Sequence, residues 1–559
     1  MGIAWSRPVR RALAMVAILL AGGACSVSGQ SAPYAPVPHR TLDDPFEQAA
    51  WRGAQANQAL KQSHRFVEGW LAQADEETGL IPRNVRESDY FWNGKDAAAD
   101  NWSFMVLAAA LTDRALYRGR MHEMLRAEAR LTSRRGALVD PYSFRTDAFL
   151  HDAPDRDRML FESSEYVKDG LMPITEWLGP TPFSDRMIDI VDAILEHRHF
   201  DTPFGRLPDN DVEVNGEMMQ VLSRLRFMTG EERYLDRALQ IADYYLLGDH
   251  HPTRDLDTLR LRDHGSELIS GLTEVYAAAH FARRTEQVEA YRTPLHTMLD
   301  RILDVGVNAH GMMYDEINPR TGAVHSEHLA DTWGYNYNSY YTVYLLDGVE
   351  RYREAVRTAL ASLNEHYRAH NWEHGSADGI ADAVESALNL HAREGDVTGV
   401  AAWMDANMQR LLAKQQPSGL VEGWHGDGNV ARTAIMWALW KQQGVTLRPW
   451  REDVTLGAVR RGDTLYVHVT ADAAWSGSIR FDPPRHETVM NLPMDYPRIN
   501  QFPAWFPVAP RAAYRVAPAG EGEERGTHPG TALIEGLAMD VAAGEEKRFV
   551  VHSVAARDR

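Results

Sequence analysis

Helical segments of two contrasting kinds alternate along most of this chain, and that alternation constrains its fold more than any other feature. From about Asp44 to Gly444, apolar residues recur at three- and four-residue spacing, the period of one helix face. Segments 232–246, 287–303 and 349–367 are amphipathic and charged. Segments 104–111, 268–279 and 431–439 are apolar or small on most faces. A layer of wet helices around a layer of buried ones produces this difference, because only the outer layer meets solvent. About seven such pairs are legible.

A recurring loop supports the pairing. Gly79-Leu80-Ile81-Pro82 returns as Gly205-Arg206-Leu207-Pro208, Gly311-Met312-Met313-Tyr314 and Gly419-Leu420-Val421-Glu422. These loops are 126, 106 and 108 residues apart, and each follows a charged helix and precedes a polar, aromatic stretch. A period near 107 is two helical hairpins; tetratricopeptide repeats would return every 34 or so residues with short turns. After Gly444 the pattern changes. Segments 464–470, 478–481 and 548–552 alternate as strands do, with Pro449 and Trp450 marking the boundary. The expectation is a mainly α fold: a toroid of six to seven paired inner and outer helices over 44–448, then a small antiparallel β-sandwich over 449–559. Segment 492–503 holds too many prolines for a strand and is expected to pack as an ordered loop against the helical body.

The 559 residues carry 59 basic against 78 acidic side chains, a formal charge of −19, which argues against nucleic acid as a partner. A hydrophobic content of 44% excludes a disordered chain, and no segment suggests a polytopic membrane protein. One cysteine excludes a disulfide framework within the chain and any multi-cysteine metal site. That cysteine, Cys25, follows Arg7, Arg10 and Arg11, an apolar run over 12–21 too short to span a bilayer, and Gly22-Gly23-Ala24. Residues 1–25 resemble a bacterial lipoprotein signal, although Gly22 stands where that pattern usually has a large aliphatic residue. The resemblance implies a lipidated Cys25, a tether over 26–43, and anchoring to the outer or plasma membrane, in the periplasm or at the cell surface. Plain secretion is the alternative, and export follows from both. Loss of residues 1–24 takes away three arginines and leaves a charge of −22.

Polar residues gather just before the apolar helices. Asp100-Asn101-Trp102 opens the first, and Glu162 with Glu165 the second. Asp209-Asn210-Asp211 with Asn215-Gly216-Glu217 opens the third, and His264-Gly265-Ser266-Glu267 the fourth. The fifth begins with Asp331-Thr332-Trp333-Gly334-Tyr335-Asn336-Tyr337, the sixth with Asp378, Asp382 and Glu385, and the last with Glu422-Gly423-Trp424-His425-Gly426-Asp427-Gly428-Asn429 before Arg432. Each group alone reads as an ordinary helix cap. If the inner helices run parallel, however, their N-termini converge, and these acids and aromatics line one crevice. Carboxylates with aromatic plates suit a sugar: stacking on C–H faces, hydrogen bonds to hydroxyls, proton transfer at the glycosidic oxygen.

Paired inner and outer helices, Gly-hydrophobic-Pro loops and acid- and Trp/Tyr-rich helix entrances resemble the α/α-toroid carbohydrate-active enzymes. These include the unsaturated glucuronyl hydrolases, the β-L-arabinofuranosidases and the toroid polysaccharide lyases. The resemblance covers residues 44–445 in architecture. The trailing β region departs from the glucuronyl hydrolases, and the arabinofuranosidase pattern implies a zinc site with several cysteines that this chain lacks.

The leading expectation is a glycoside hydrolase acting on a poly- or oligosaccharide, uronate-containing glycans included, with two carboxylates as acid and base or nucleophile. The catalytic candidates are Asp100, Glu217, Glu267 and Asp427, with Asp211 and Asp331 behind them. Asn101, Trp102, Asp211, His264, Asp331, Trp333, Tyr335, Tyr337, Trp424 and His425 are candidate substrate contacts. Arg432 could grip a uronate carboxylate or pair with an inner-helix acid. A polysaccharide lyase is the alternative, with Tyr335 or Tyr337, His264 or His425, and Asn336 or Asn101 as its machinery. A non-catalytic glycan-binding lipoprotein is the third reading. No cofactor is expected. No metal ligand set is indicated either: His250-His251 lacks ligand spacing, and a calcium ion on loop carboxylates, for instance near Asp209 and Asp211, stays open without a motif to support it.

Overall fold

The computed structural model describes residues 38–86, 90–263, 265–395, 397–520 and 526–554; Cys25 with its signal, and His264, lie outside them. The outer helices are α1 (Pro45–Leu71), α3 (His122–Thr132), α5 (Pro182–His197), α7 (Glu232–Leu246), α9 (Thr285–Val305), α11 (Glu350–His366) and α13 (Val400–Leu412). The inner helices are α2 (94–112), α4 (156–178), α6 (Val212–Thr229), α8 (Gly265–Phe281), α10 (Trp333–Asp347), α12 (Ala377–Glu394) and α14 (Gly426–Gln442). Stretches of α2 and α4 are wound as π-helix.

Each inner helix packs on the next, and α14 returns to α2, so the ring closes. The outer helix α1 covers the seam by packing on both α14 and α2. Among the described residues this gives seven inner and seven outer helices. The fold is an α/α toroid. The two kinds of helix differ in burial as solvent contact requires. Every residue of α14 is buried, whereas α11 buries only the stripe Tyr352, Val356, Ala359, Leu360, Ser362 and Leu363. The repeated loop also has a common geometry: Gly79, Gly205, Gly311 and Gly419 all take positive φ, between 75° and 117°, where a side chain would strain the turn.

The C-terminal region forms two antiparallel sheets from β1 (Thr446–Arg448), β2 (Val454–Arg461), β3 (Thr464–Ala471), β4 (Trp475–Arg480), β5 (Ala513–Pro518), β6 (Thr527–Pro529), β7 (Leu537–Val541) and β8 (Glu546–Val554). The strand orders are β2-β3-β8-β5-β6 and β7-β4-β1. Leu456, Val467, Val469 and Val551 from the first sheet meet Leu447, Trp475, Ile479 and Val541 from the second in one core, which makes a sandwich. Its first strand starts at Thr446, three residues before the expected boundary, because β1 pairs with β4. Strand β2 lies against α1, where Asn57 donates to the Glu452 carbonyl at 3.0 Å and to Thr455 at 3.2 Å.

Between β4 and β5 the proline-rich segment turns back into the toroid. Tyr496 donates to Glu274 on α8 at 3.0 Å, Arg498 lies 3.5 Å from Glu176 on α4, and Asn500 reaches Arg432 on α14 at 2.8 Å. The ring is thereby plugged at the end opposite the inner-helix N-termini. No helix among the described residues is long and apolar enough to cross a membrane.

Candidate active site

The inner helices do run parallel, and the N-terminal ends of α2, α8, α10, α12 and α14, with mid-helix side chains of α4, line a crevice of about 140 Å³. Helical periodicity decides which side chains face it. On α2, Asp96 and Asp100 fall on the inward face; on α12, Asp378, Asp382 and Glu385 follow one another at four and three residues. On α14, Asn429 and Arg432 point in, whereas Asp427, some 200° from Asn429, points out. Close helix approach brings these faces together: a Cβ on Gly428 would lie 1.9 Å from the Asp100 carbonyl oxygen, so only glycine lets α14 meet α2 here.

Arg432 forms the floor. It is buried, contacts Asp382 at 2.5 Å and Glu385 at 2.9 Å, and donates to Asn429 at 3.1 Å and Asn500 at 2.8 Å. Across the floor Lys168 contacts Glu267 at 2.5 Å and Asp169 at 2.7 Å. Tyr335 donates to Glu385 at 2.8 Å. The walls carry more acid than these cations balance. Burial, and then the charges of Asp382, Glu373 and Asp263, push the Asp331 carboxyl well above the usual carboxylate range, against the pull of Arg262. Burial with Glu165 and Asp169 nearby does the same to Asp100, and burial with Asp382 and Glu373 to Asp378. Burial also raises Asp382, but Arg432 opposes it and leaves the carboxyl at about 6. Glu267 is raised to about 7 by burial, against the pull of Lys168. Asp96 goes the other way: burial would raise it, but His425 and Arg83 together hold it below its ordinary value. The crevice therefore sets carboxyl groups whose surroundings oppose ionisation beside others whose surroundings favour it.

A cleft of about 430 Å³ adjoins it, sharing Arg262 and Glu373 with the crevice and lined by Tyr314, His328, His370 and His374. The hairpin Tyr314–Asn318 with Ala323–Leu329 forms one side. At the junction, Asp263, Glu373 and His374 take φ values of 52°, 43° and 57°, conformations that cost energy and persist only where the surroundings enforce them.

Of the side chains singled out in the sequence, Asp100, Glu267, Asp331, Tyr335, Trp424, His425 and Arg432 line the crevice. The others do not. Asp427 accepts from the amides of Val421, Glu422 and Gly423 and from the Trp70 indole, so it pins the loop before α14. Asp211 is the exposed N-cap of α6, bonded to the amides of Glu213 and Val214. Trp102 is turned to the outer layer against Phe183, and Trp333 packs edge-on to Tyr337 in the core. Tyr337 donates to the Gly311 carbonyl at 2.5 Å, and Asn101 is fully buried. Glu217 is sealed in the wall with no exposed surface. The reading by helix starts missed Lys168, Asp169, Asp263 and Glu373; it set Asp378 and Asp382 at the crevice but not among the catalytic or substrate-contact candidates. The signal for the last two was present: acids at four- and three-residue steps along an otherwise apolar helix.

No family model matches the chain, and no curated protein matches it. Among solved structures it is similar to the GH76A α-1,6-mannanase of Salegentibacter sp. HEL1_6, at 9% identity over 69% of this chain and 98% of that one, with a TM-score of 0.39. It is also similar to a D-mannose isomerase (10%, 56% and 85%, TM-score 0.39) and to the cellobiose 2-epimerase of Spirochaeta thermophila (11%, 58% and 87%, TM-score 0.39). Likenesses this distant bring no residue role and no activity to the chain.

Proposed function

We propose that this protein is a glycoside hydrolase acting on a poly- or oligosaccharide, with Asp331 as the proton donor and Asp382 as the ionised partner. The observation that carries this reading is the pairing of unlike environments in one crevice. Burial and neighbouring acids oppose the charge on Asp331, while Asp382 lies against Arg432. Two carboxyl groups driven apart in this way supply the acid and the base or nucleophile of glycosidic cleavage. Trp424 and Tyr335 offer the crevice aromatic surface for a sugar ring, and the adjoining cleft offers room for further units.

The charge balance favours a neutral glycan over a uronate. Arg432 and Lys168 are committed to protein carboxylates, and the ten acids of the lining outnumber its four lysines and arginines, Lys95 and Arg262 included, so a second anion would be repelled. Tyrosine-based elimination has no support: burial with Asp382 and Glu385 nearby pushes the Tyr335 hydroxyl well up, and Tyr337 is turned away. The test is incubation with a panel of neutral and uronate-containing glycans, reading reducing ends together with the ultraviolet absorbance of unsaturated ends. New reducing ends without unsaturation support the hydrolase; unsaturated ends, or binding without turnover, defeat it.

The sequence further supports export with lipid at Cys25 as the envelope anchor. Metabolic labelling with a fatty-acid analogue should mark the wild-type protein and leave Cys25→Ser unmarked; an unlabelled wild type would leave plain secretion.

A further inference from the structure

We propose that Glu165, Glu213 and Glu217 form a calcium site in the toroid wall between α4 and α6. The three contribute carboxylate oxygens that lie within 4.8 Å of one another. Two oxygens each about 2.4 Å from one calcium ion are at most about 4.8 Å apart, so one ion can reach all three. Glu213 and Glu217 stand one helical turn apart on α6, facing Glu165 on α4.

Glu217 is the independent observation. It has no exposed surface, and neither of its carboxylate oxygens meets a hydrogen-bond donor. A buried carboxyl without a donor is strongly disfavoured, and the nearest cation does not relieve it, since Lys168 is taken by Asp169 and Glu267. A divalent ion among three glutamates removes that penalty, and an all-oxygen set selects calcium over zinc. The other groupings of potential ligands lack this feature. Asp96, beside Asp100 and His425, is served by Arg83 and Asn93; Asp209, beside Asp157 and His199, by the amides of Asn210 and Asp211. The site does not depend on the hydrolase reading.

The test uses the mature full-length chain, stripped with a chelator and then titrated separately with calcium, magnesium and zinc. Metal content is read by mass spectrometry, affinity by calorimetry and stability by thermal unfolding. The expected result is about one calcium per chain and a rise in Tm of several degrees with calcium. Glu217→Gln should weaken calcium binding at least about tenfold with an unchanged circular dichroism spectrum. Should that variant fail to fold, Glu213→Gln, nearer the surface, must show the same loss. No retained metal and no Tm shift in the wild type would overturn the proposal. So would a zinc preference, or calcium binding in the folded variants as tight as in the wild type.

Discussion

Asp331 and Asp427 were both expected near the chemistry, but they have opposite partners. Asp331 has three carboxylates and one guanidinium around it, whereas Asp427 accepts from three backbone amides and an indole. Asp331→Asn replaces a carboxyl whose charge burial and neighbouring acids already oppose, so the fold should survive with a change of less than about 1 kcal/mol. Loss of the proton donor should lower kcat by about 10²–10⁴-fold on whichever glycan the panel identifies. Steady-state turnover close to wild type would remove Asp331 from the mechanism. Asp427→Asn should do the reverse, costing about 1–3 kcal/mol in urea unfolding as the loop over 421–423 loses acceptors, with kcat nearly intact. The sequence put both residues at a helix start, and that much was legible. Which way each points was not, because one step along a helix turns a side chain by about 100° and the start of α14 cannot be fixed to one residue from pattern alone.

The elements were legible where burial imposes a period. The two helix kinds, the four glycine loops and the turn to strands after Gly444 each carry a local signal, and each corresponds to an element of the fold. The hairpin over 314–329 was not read, since its strands sit in a polar stretch with exposed faces. The plug was legible over 492–503 as an ordered loop, but its contacts were not, because they join residues up to 331 positions apart. Asn500 shows what that element does. It accepts from Arg432 at 2.8 Å, and its amides donate to Glu385 at 2.8 Å and Asp169 at 2.5 Å. Asn500→Ala should cost about 1–3 kcal/mol. It should also loosen Arg432 beside Asp382, so that the Asp382 carboxyl rises and the acidic limb of the pH–rate profile moves to higher pH. An unmoved limb in a destabilised variant would reduce the plug to a packing element.

At the scale of the whole molecule, the toroid gathers carboxyl groups from helices far apart in sequence, and this couples folding to pH. Glu162 is the clearest case outside the crevice. It is buried between α4 and the start of α2, accepts from the Gly94 amide at 2.5 Å, and is raised to about 7, with burial the main cause. Below its ordinary value of 4.5 the folded and unfolded chains both hold the proton, and Glu162 costs nothing. From there to about pH 7 the unfolded chain ionises first, so the unfolded state binds fewer protons and stability falls as pH rises. Above about 7 both states are ionised and the loss, at most about 3 kcal/mol, is complete. Histidines that burial holds below their ordinary value, His425 among them, work against this slope, so the test is a difference between two proteins. Glu162→Gln keeps an acceptor for Gly94 and cannot ionise. Near pH 4.5 it should unfold at about the same temperature as the wild type, and near pH 8 at a higher one, with the gap opening between those values. A gap that is constant across the range would mean that Glu162 ionises as freely inside the toroid as in water.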